Sequence, residues 1–197
     1  MTVRSDLRKV VRTWRRGLSE AEQRHCAERV AQGFASTRLF RCAKHIAFYF
    51  PVNGELNPIP LMQRAWAMGK RSYLPVLTGV GSRHLRFSPY YPDDFLAYNR
   101  YGILEPQRPV RERVSASRLD LVVLPLVAFD AQGNRLGMGA GYYDRTLAFL
   151  LQRQRWHHPH LFGLGYDFQK MAAIDPAPWD VPLDGVVTET SLYLADR

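Results

Sequence analysis

The 197-residue chain is 46% hydrophobic and 12% aromatic, which excludes a disordered segment and suits one domain spanning residues 1–197 with a full core. Its net charge of +9 fits a polyanion, but the arginines stand in scattered groups at Arg4 to Arg16, Arg108 to Arg118 and Arg153 to Arg155, without the alternating basic and aromatic pattern of an RNA-binding sheet, so a small anionic ligand is expected rather than nucleic acid. No apolar run approaches the ~18–20 residues needed to cross a bilayer, no apolar segment follows the basic N-terminus, and Cys26 and Cys42 support neither a disulfide framework nor a zinc site, so a soluble cytoplasmic protein with free thiols is expected.

Residues 2–17 read as a basic helix. Ser19 is a good N-cap, and Glu22 three residues later completes a capping box for a helix running to about Thr37, with Ala27, Val30, Ala31 and Phe34 on one face. His45 to Phe50 is rich in strand formers and ends at Pro51, as a buried strand would. Pro58 to Met68 is a helix opened by proline, and Lys70 to Pro75 is a second strand. Arg83 to Tyr91 alternates and predicts an antiparallel excursion. Leu119 to Leu124 is the most hydrophobic strand and fits a central parallel position. A glycine-rich loop follows, then a helix from about Gly141 to Gln154, a strand over His160 to Tyr166, and two short strands at Gly185 to Thr188 and Ser191 to Leu194. Strands alternating with helices imply an α/β sheet covered on both faces.

The segment from Arg135 to Arg145, RLGMGAGYYDR, carries the most chemistry. Gly137, Gly139 and Gly141 alternate between a strand and a helix, where backbone can approach a ligand closely and free N–H groups face it, so the loop is a candidate phosphate site. Arg135 and Arg145 flank it and are placed to add charge-assisted hydrogen bonds. Asp144 lies in the first helical turn, where a carboxylate can hold Mg²⁺ bound to the same phosphates. Neither a Walker A loop nor the G-x-G-x-x-G fingerprint is present, since Gly-Lys-Ser/Thr is lacking and Tyr142 stands where the third glycine belongs. A tight strand-to-helix turn with Asp144 against the helix dipole is the plainer alternative. Tyr143, Leu147, Leu150 and Leu151 form the helix's core face, which leaves Tyr142 to line the site.

These residues carry a resemblance. The run Leu124 to Asp130, then Gly133, then RLGMGAGYYDR resembles the signature of the 5-formyltetrahydrofolate cyclo-ligase family, whose members are also called methenyltetrahydrofolate synthetases. The likeness extends along nearly the whole chain, through Arg4 and Arg8 (the family's K-x-x-x-R pair), Ile46 to Pro51 with Gly54 and Glu55, Tyr101 to Pro106, and Asp180 to Asp184 with Val187 to Glu189. It implies a Rossmann-like, mostly parallel open sheet with helices on both faces, related to sugar-phosphate isomerase and CoA-transferase folds. It also implies MgATP-dependent cyclisation of a reduced folate; a monomer is expected. ATP would contact Arg4, Arg8 and the loop from Arg135 through Leu136, Gly137, Met138, Gly139, Ala140, Gly141 and Tyr142 to Tyr143. Arg135, Arg145 and Tyr142 would serve catalysis, Asp144 and Asp180 would hold Mg²⁺, and Glu55 with Phe50 would contact the folate. The chain departs from the family pattern at Arg4, where lysine is usual, and at Trp179, where histidine is common.

On residue type alone several of these positions have plainer readings. Glu55 reads as a surface-loop acid, and Asp180, among Pro176, Pro178 and Pro182, as a turn residue. His157, His158 and His160 lack a partner acid or cysteine and are interrupted by Pro159, so a solvated turn is expected rather than a metal site. Phe87, Tyr90 and Tyr91 read as core or pocket wall. Rival functions are a sugar-phosphate or CoA-type enzyme on the same fold, and a non-catalytic folate- or nucleotide-binding or RNA-associated family member.

Overall fold

The computed structural model describes residues 3–79, 81–152 and 158–195. Helix α1 spans Val3–Gly17 and packs Leu7 and Val11 against a small apolar cluster with Val127, Ala128 and Leu136. Helix α2, Glu20–Ala35, opens on Ser19 as its sequence demands. The Ser19 hydroxyl accepts from the Glu22 N–H, and the Glu22 carboxylate accepts from the Ser19 N–H at 2.7 Å. The helix stops before Thr37, because the Thr37 hydroxyl accepts the Phe40 N–H and so caps a separate short helix, α3, Arg38–Cys42.

Strand β1, His45–Ala47, is shorter than the β-forming run predicts. Beyond Ala47 only the Phe48 N–H stays with the sheet, donating to the Tyr73 carbonyl at 2.9 Å, and the chain then turns away. Helix α4 covers Ile59–Ala67, and β2, Arg71–Leu77, forms the predicted antiparallel pair with β3, Leu85–Tyr90. Two hairpins go beyond what the sequence pattern predicts. One joins β4, Leu96–Tyr98, to β5, Leu104–Pro106. After β6, Leu121–Pro125, the other joins β7, Ala128–Phe129, to β8, Arg135–Leu136, directly before the glycine loop. Helix α5 is only Tyr142–Leu147, followed by a 3₁₀ segment over Ala148–Gln152. The chain closes with β9, His160–Leu164, β10, Gly185–Val187, and β11, Leu192–Leu194. Thr2 of the predicted first helix, Arg153, Gln154, Arg155 and His157 lie outside the described residues.

The main sheet has seven strands in the order β11-β10-β9-β6-β1-β2-β3. Its four interior pairings are parallel, and β3 and β11 close the edges antiparallel. β6 is central, and Leu121, Val122, Val123 and Leu124 are all fully buried, as expected of a strand covered on both faces. One face packs on α2, α3 and α4 through Val30, Phe34, Phe40 and Leu61. The other is covered by Leu147 of α5 and by irregular chain carrying Leu119, Val181 and Leu183, so its helical cover is thinner than expected. The chain leaves β1 for β2 on one side and later returns to place β6 on the other. The carboxyl ends of β1 and β6 therefore form a switch point, where open α/β sheets bind ligands.

Candidate active site

A cleft of about 680 Å³ opens at that switch point, walled by Tyr49 and Phe50 after β1, Leu77 at the end of β2 and Pro125 of β6. Its size is that of a small-molecule site. Every residue singled out from the sequence as a site candidate lines it: Arg4, Arg8, Phe50, Glu55, the whole stretch Arg135 to Arg145, and Asp180.

The glycine loop forms one wall. Gly139 has φ +104, and a Cβ there would lie 3.6 Å from the Arg8 guanidinium carbon. Arg4 and Arg8, four apart, share one face of α1. Arg8 Nε donates to the Gly137 carbonyl at 2.8 Å, which brings α1 onto the loop. Arg4 Nη2 meets Asp180 Oδ2 at 2.6 Å, tying the same helix to the proline-bounded turn 176 positions away. Arg145 Nη2 donates to the Ala140 carbonyl and Nε to the Arg83 carbonyl, so its guanidinium lies along the loop.

Buried Arg135 and half-buried Asp144 form an ion pair at 2.5 Å. Arg135 also donates through Nη1 to the Val181 carbonyl, and Asp144 Oδ1 accepts the Val181 N–H at 3.3 Å. The turn carrying Asp180 is thereby fastened beside α5. Asp144 does not cap that helix: Gly141 is the N-cap residue, and Asp144 balances a buried arginine instead. Arg135 is correspondingly committed to protein partners rather than reaching freely into the cleft.

Could the two acids serve a cation? Asp144 Oδ2 and Asp180 Oδ1 accept no hydrogen bond among the described residues, whereas each carboxylate's other oxygen is engaged. Among the described residues no group of three or more His, Cys, Asp or Glu side chains could hold a metal ion. The donor set therefore fits a hard ion that takes one or two carboxylates and draws its other ligands from water and phosphate, as Mg²⁺ does.

Glu55 occupies another wall. It is 5% exposed, and its carboxylate accepts the Val52 N–H at 3.1 Å. Burial pushes its pKa up to about 7, against the partial relief of that hydrogen bond and of Arg15. A surface-loop acid would show no such shift. Tyr143 is also held in the wall, and burial followed by the nearby Glu55 charge raises its phenol pKa.

Sequence reasoning assigned no role to two features of this cleft. The β4–β5 hairpin places Tyr101 beside the loop: the Tyr101 and Tyr142 hydroxyls are 2.9 Å apart, and Arg100 Nη2 donates to the Tyr142 hydroxyl at 2.8 Å. These hydrogen bonds, Tyr101's first, lower the Tyr142 pKa. The available signal was a four-residue turn, Asn99 to Gly102, between two short apolar runs. The second feature is Arg15, buried at 1% exposure on the apolar face of α1. Its position four residues after Val11 was the signal.

Comparison with known proteins follows the same lines. The sequence model of the 5-formyltetrahydrofolate cyclo-ligase family matches residues 1–189. A 5-formyltetrahydrofolate cyclo-ligase of Escherichia coli (strain K12) is 38% identical over 186 residues, covering 93% of this chain and 99% of the relative. The Haemophilus influenzae protein of the same name is 38% identical over 182 residues, covering 91% of this chain and 94% of its own. The solved structure of Aquifex aeolicus 5,10-methenyltetrahydrofolate synthetase superposes with a TM-score of 0.82 at 33% identity, covering 100% of this chain and 94% of that one.

Proposed function

Since the chain belongs to the 5-formyltetrahydrofolate cyclo-ligase family, we propose that it is a cytoplasmic, monomeric enzyme that closes 5-formyltetrahydrofolate to 5,10-methenyltetrahydrofolate at the expense of ATP. The observation that carries this reading is convergence: two arginines of α1, the glycine loop, Glu55 and the acids Asp144 and Asp180, from four distant parts of the sequence, surround one cleft.

In the proposed reaction the formyl oxygen on N5 attacks the γ-phosphorus of ATP and ADP leaves. N10 then attacks the activated formyl carbon, the N10 proton is lost to solvent, and the oxygen departs with inorganic phosphate. The protein's work in such a transfer is positioning and neutralising charge. Arg8 and Arg145, with the loop N–H groups, are the candidates for the phosphate oxygens. Arg135 would orient Asp144 rather than touch the nucleotide. Tyr142, its phenol poised by Tyr101 and Arg100, would face the reacting groups. Asp144 and Asp180 would hold Mg²⁺, which when bound spreads the charge of the transferring phosphoryl group. Glu55 would accept hydrogen bonds from the amino-pyrimidine edge of the pterin, with Phe50 alongside.

The test is spectroscopic. Purified protein given 5-formyltetrahydrofolate and MgATP should develop the methenyl chromophore and release one phosphate per product. No chromophore, under conditions where the Escherichia coli relative turns over, would sink the reading.

A further inference from the structure

Arg15 is the largest fully buried polar side chain among the described residues, and the proposed reaction does not use it. Only one of its guanidinium nitrogens is satisfied there: Nη2 donates to the Leu126 carbonyl, while Nε and Nη1 are buried with no partner among the described residues. A guanidinium removed from water with two donors unmet is unfavourable unless something compensates it. No hydrogen bond joins it to Glu55 among the described residues, yet the turn that carries Glu55 packs beside Arg15. Gly54 has φ +72, and a Cβ there would come within 3.1 Å of Arg15 Cβ and 3.7 Å of its carbonyl group, so Gly54 lies against the root of the arginine side chain.

We infer that Arg15 is a positioning residue for Glu55: its stem lies beside the turn that carries Glu55, and its buried guanidinium supplies the positive field that holds that carboxylate in the cleft wall. The groups bearing on the pair are few. Tyr49 after β1 and Tyr143 of α5 face Glu55, while Tyr166 after β9, Tyr49 and Arg12 of α1 face Arg15. None of these tyrosines is ionised near neutrality: burial raises the phenol pKa of each. Arg15 is therefore the cation whose charge favours ionised Glu55 against a burial that pushes it toward protonation, and Glu55 is the foremost group favouring charged Arg15 against its own burial. Each charge makes the other's burial tolerable across a gap that no direct bond closes.

The functional side of this inference rests on Glu55 being the folate acceptor, so the test has two independent readouts. The first is the titration of the Glu55 side-chain carboxyl by ¹³C NMR in the ligand-free protein. Arg15→Met should raise its midpoint by at least about one unit, a tenfold change in ionisation. Arg15→Lys should shift it the same way but less, and it carries the test should the methionine variant fail to fold. The second is folate affinity against pH. Both variants should bind about tenfold or several-fold more weakly at pH 7 and recover toward pH 9, and the loss should vanish in a Glu55→Gln background. A Glu55 midpoint unmoved by both variants, or an affinity loss equal at all pH values and in both backgrounds, would overturn the inference. Folate affinity unaffected by Glu55→Gln alone would instead overturn the reading of Glu55 as folate acceptor.

Discussion

At Glu55, stability and function are opposed. Its pKa rises from an ordinary 4.5 to about 7 because burial disfavours the carboxylate. Between those values the folded state binds more protons than the unfolded one, so Glu55's contribution to stability falls as pH rises from about 4.5 to about 7. Above pH 7 the full penalty stands, about 3 kcal/mol for a shift of that size. Glu55→Gln should therefore melt higher than the parent at pH 8 and show little gain at pH 4.5. In calorimetry the same variant should lose roughly 1.5–3 kcal/mol of folate affinity, the worth of hydrogen bonds to a charged group, with ATP affinity unchanged. Equal melting temperatures at pH 8 would mean that the carboxylate is hydrated in solution. Asp144 behaves otherwise. Read from sequence it is a first-turn acid, for which asparagine is a mild replacement. In the fold it neutralises Arg135, whose side chain is 4% exposed. Asp144→Asn should thus cost stability as well as turnover, by less than the ~3–5 kcal/mol of a fully buried pair because the Asp144 side chain is 23% exposed. Denaturant titration would measure it, and an unchanged midpoint would contradict the pairing. Neither environment was legible in the sequence: the chain names both acids, but the burial of Glu55 and the partner of Asp144 arise from contacts between distant segments. Arg15 was half legible, since Leu7, Val11 and Arg15 fall on one helical face and only its unmet donors required the fold.

Among the elements, the glycine loop gives the clearest contrast. Gly139 needs a backbone conformation closed to β-branched residues, and the space beside it is taken by Arg8. Gly137 has a permissive backbone, and a methyl group placed there would meet nothing within 4 Å. Gly139→Val should abolish nucleotide binding in a fluorescence titration, whereas Gly137→Ala should fold and melt like the parent. Similar losses of stability in both variants would show that the loop's shape is set elsewhere. Long, patterned elements such as α2 and β6 could be read directly from sequence. Helix α5 could not: nothing in Tyr142 to Gln152 is a glycine or proline stop. Leu147 and Leu150 pack on the core, but Leu151, which a continued α-helix would carry on the same face, is 48% exposed as the chain tightens into the 3₁₀ segment. The β4–β5 hairpin is hard to read from sequence because three-residue strands leave too little alternation to recognise. Its turn is held instead by the Asn99 side chain, whose Oδ1 accepts the Tyr101 and Ile103 N–H groups at 2.8 and 3.1 Å.

At the scale of the molecule, the net charge of +9 bears on ligands that carry many negative charges. A folate with a longer glutamate tail should bind more tightly at low ionic strength, and the advantage should shrink between about 50 and 300 mM salt as screening shortens the range of the field. Tail-independent affinity at low salt would place the excess charge away from the cleft mouth. The order β11-β10-β9-β6-β1-β2-β3 puts that cleft where the sheet changes direction. It also makes the site a meeting of distant residues, with Arg4 on the first helix bonded to Asp180 in a turn just before the penultimate strand. Such a site has an order of assembly during synthesis. A chain emerging from the ribosome presents its glycine loop well before the residue that Arg4 grips has left the exit tunnel, so the nascent protein passes through a stage with a sheet half built and no complete ligand cleft. A ligand that needs the whole cleft can then be captured only after the segment carrying Asp180 has emerged and met Arg4.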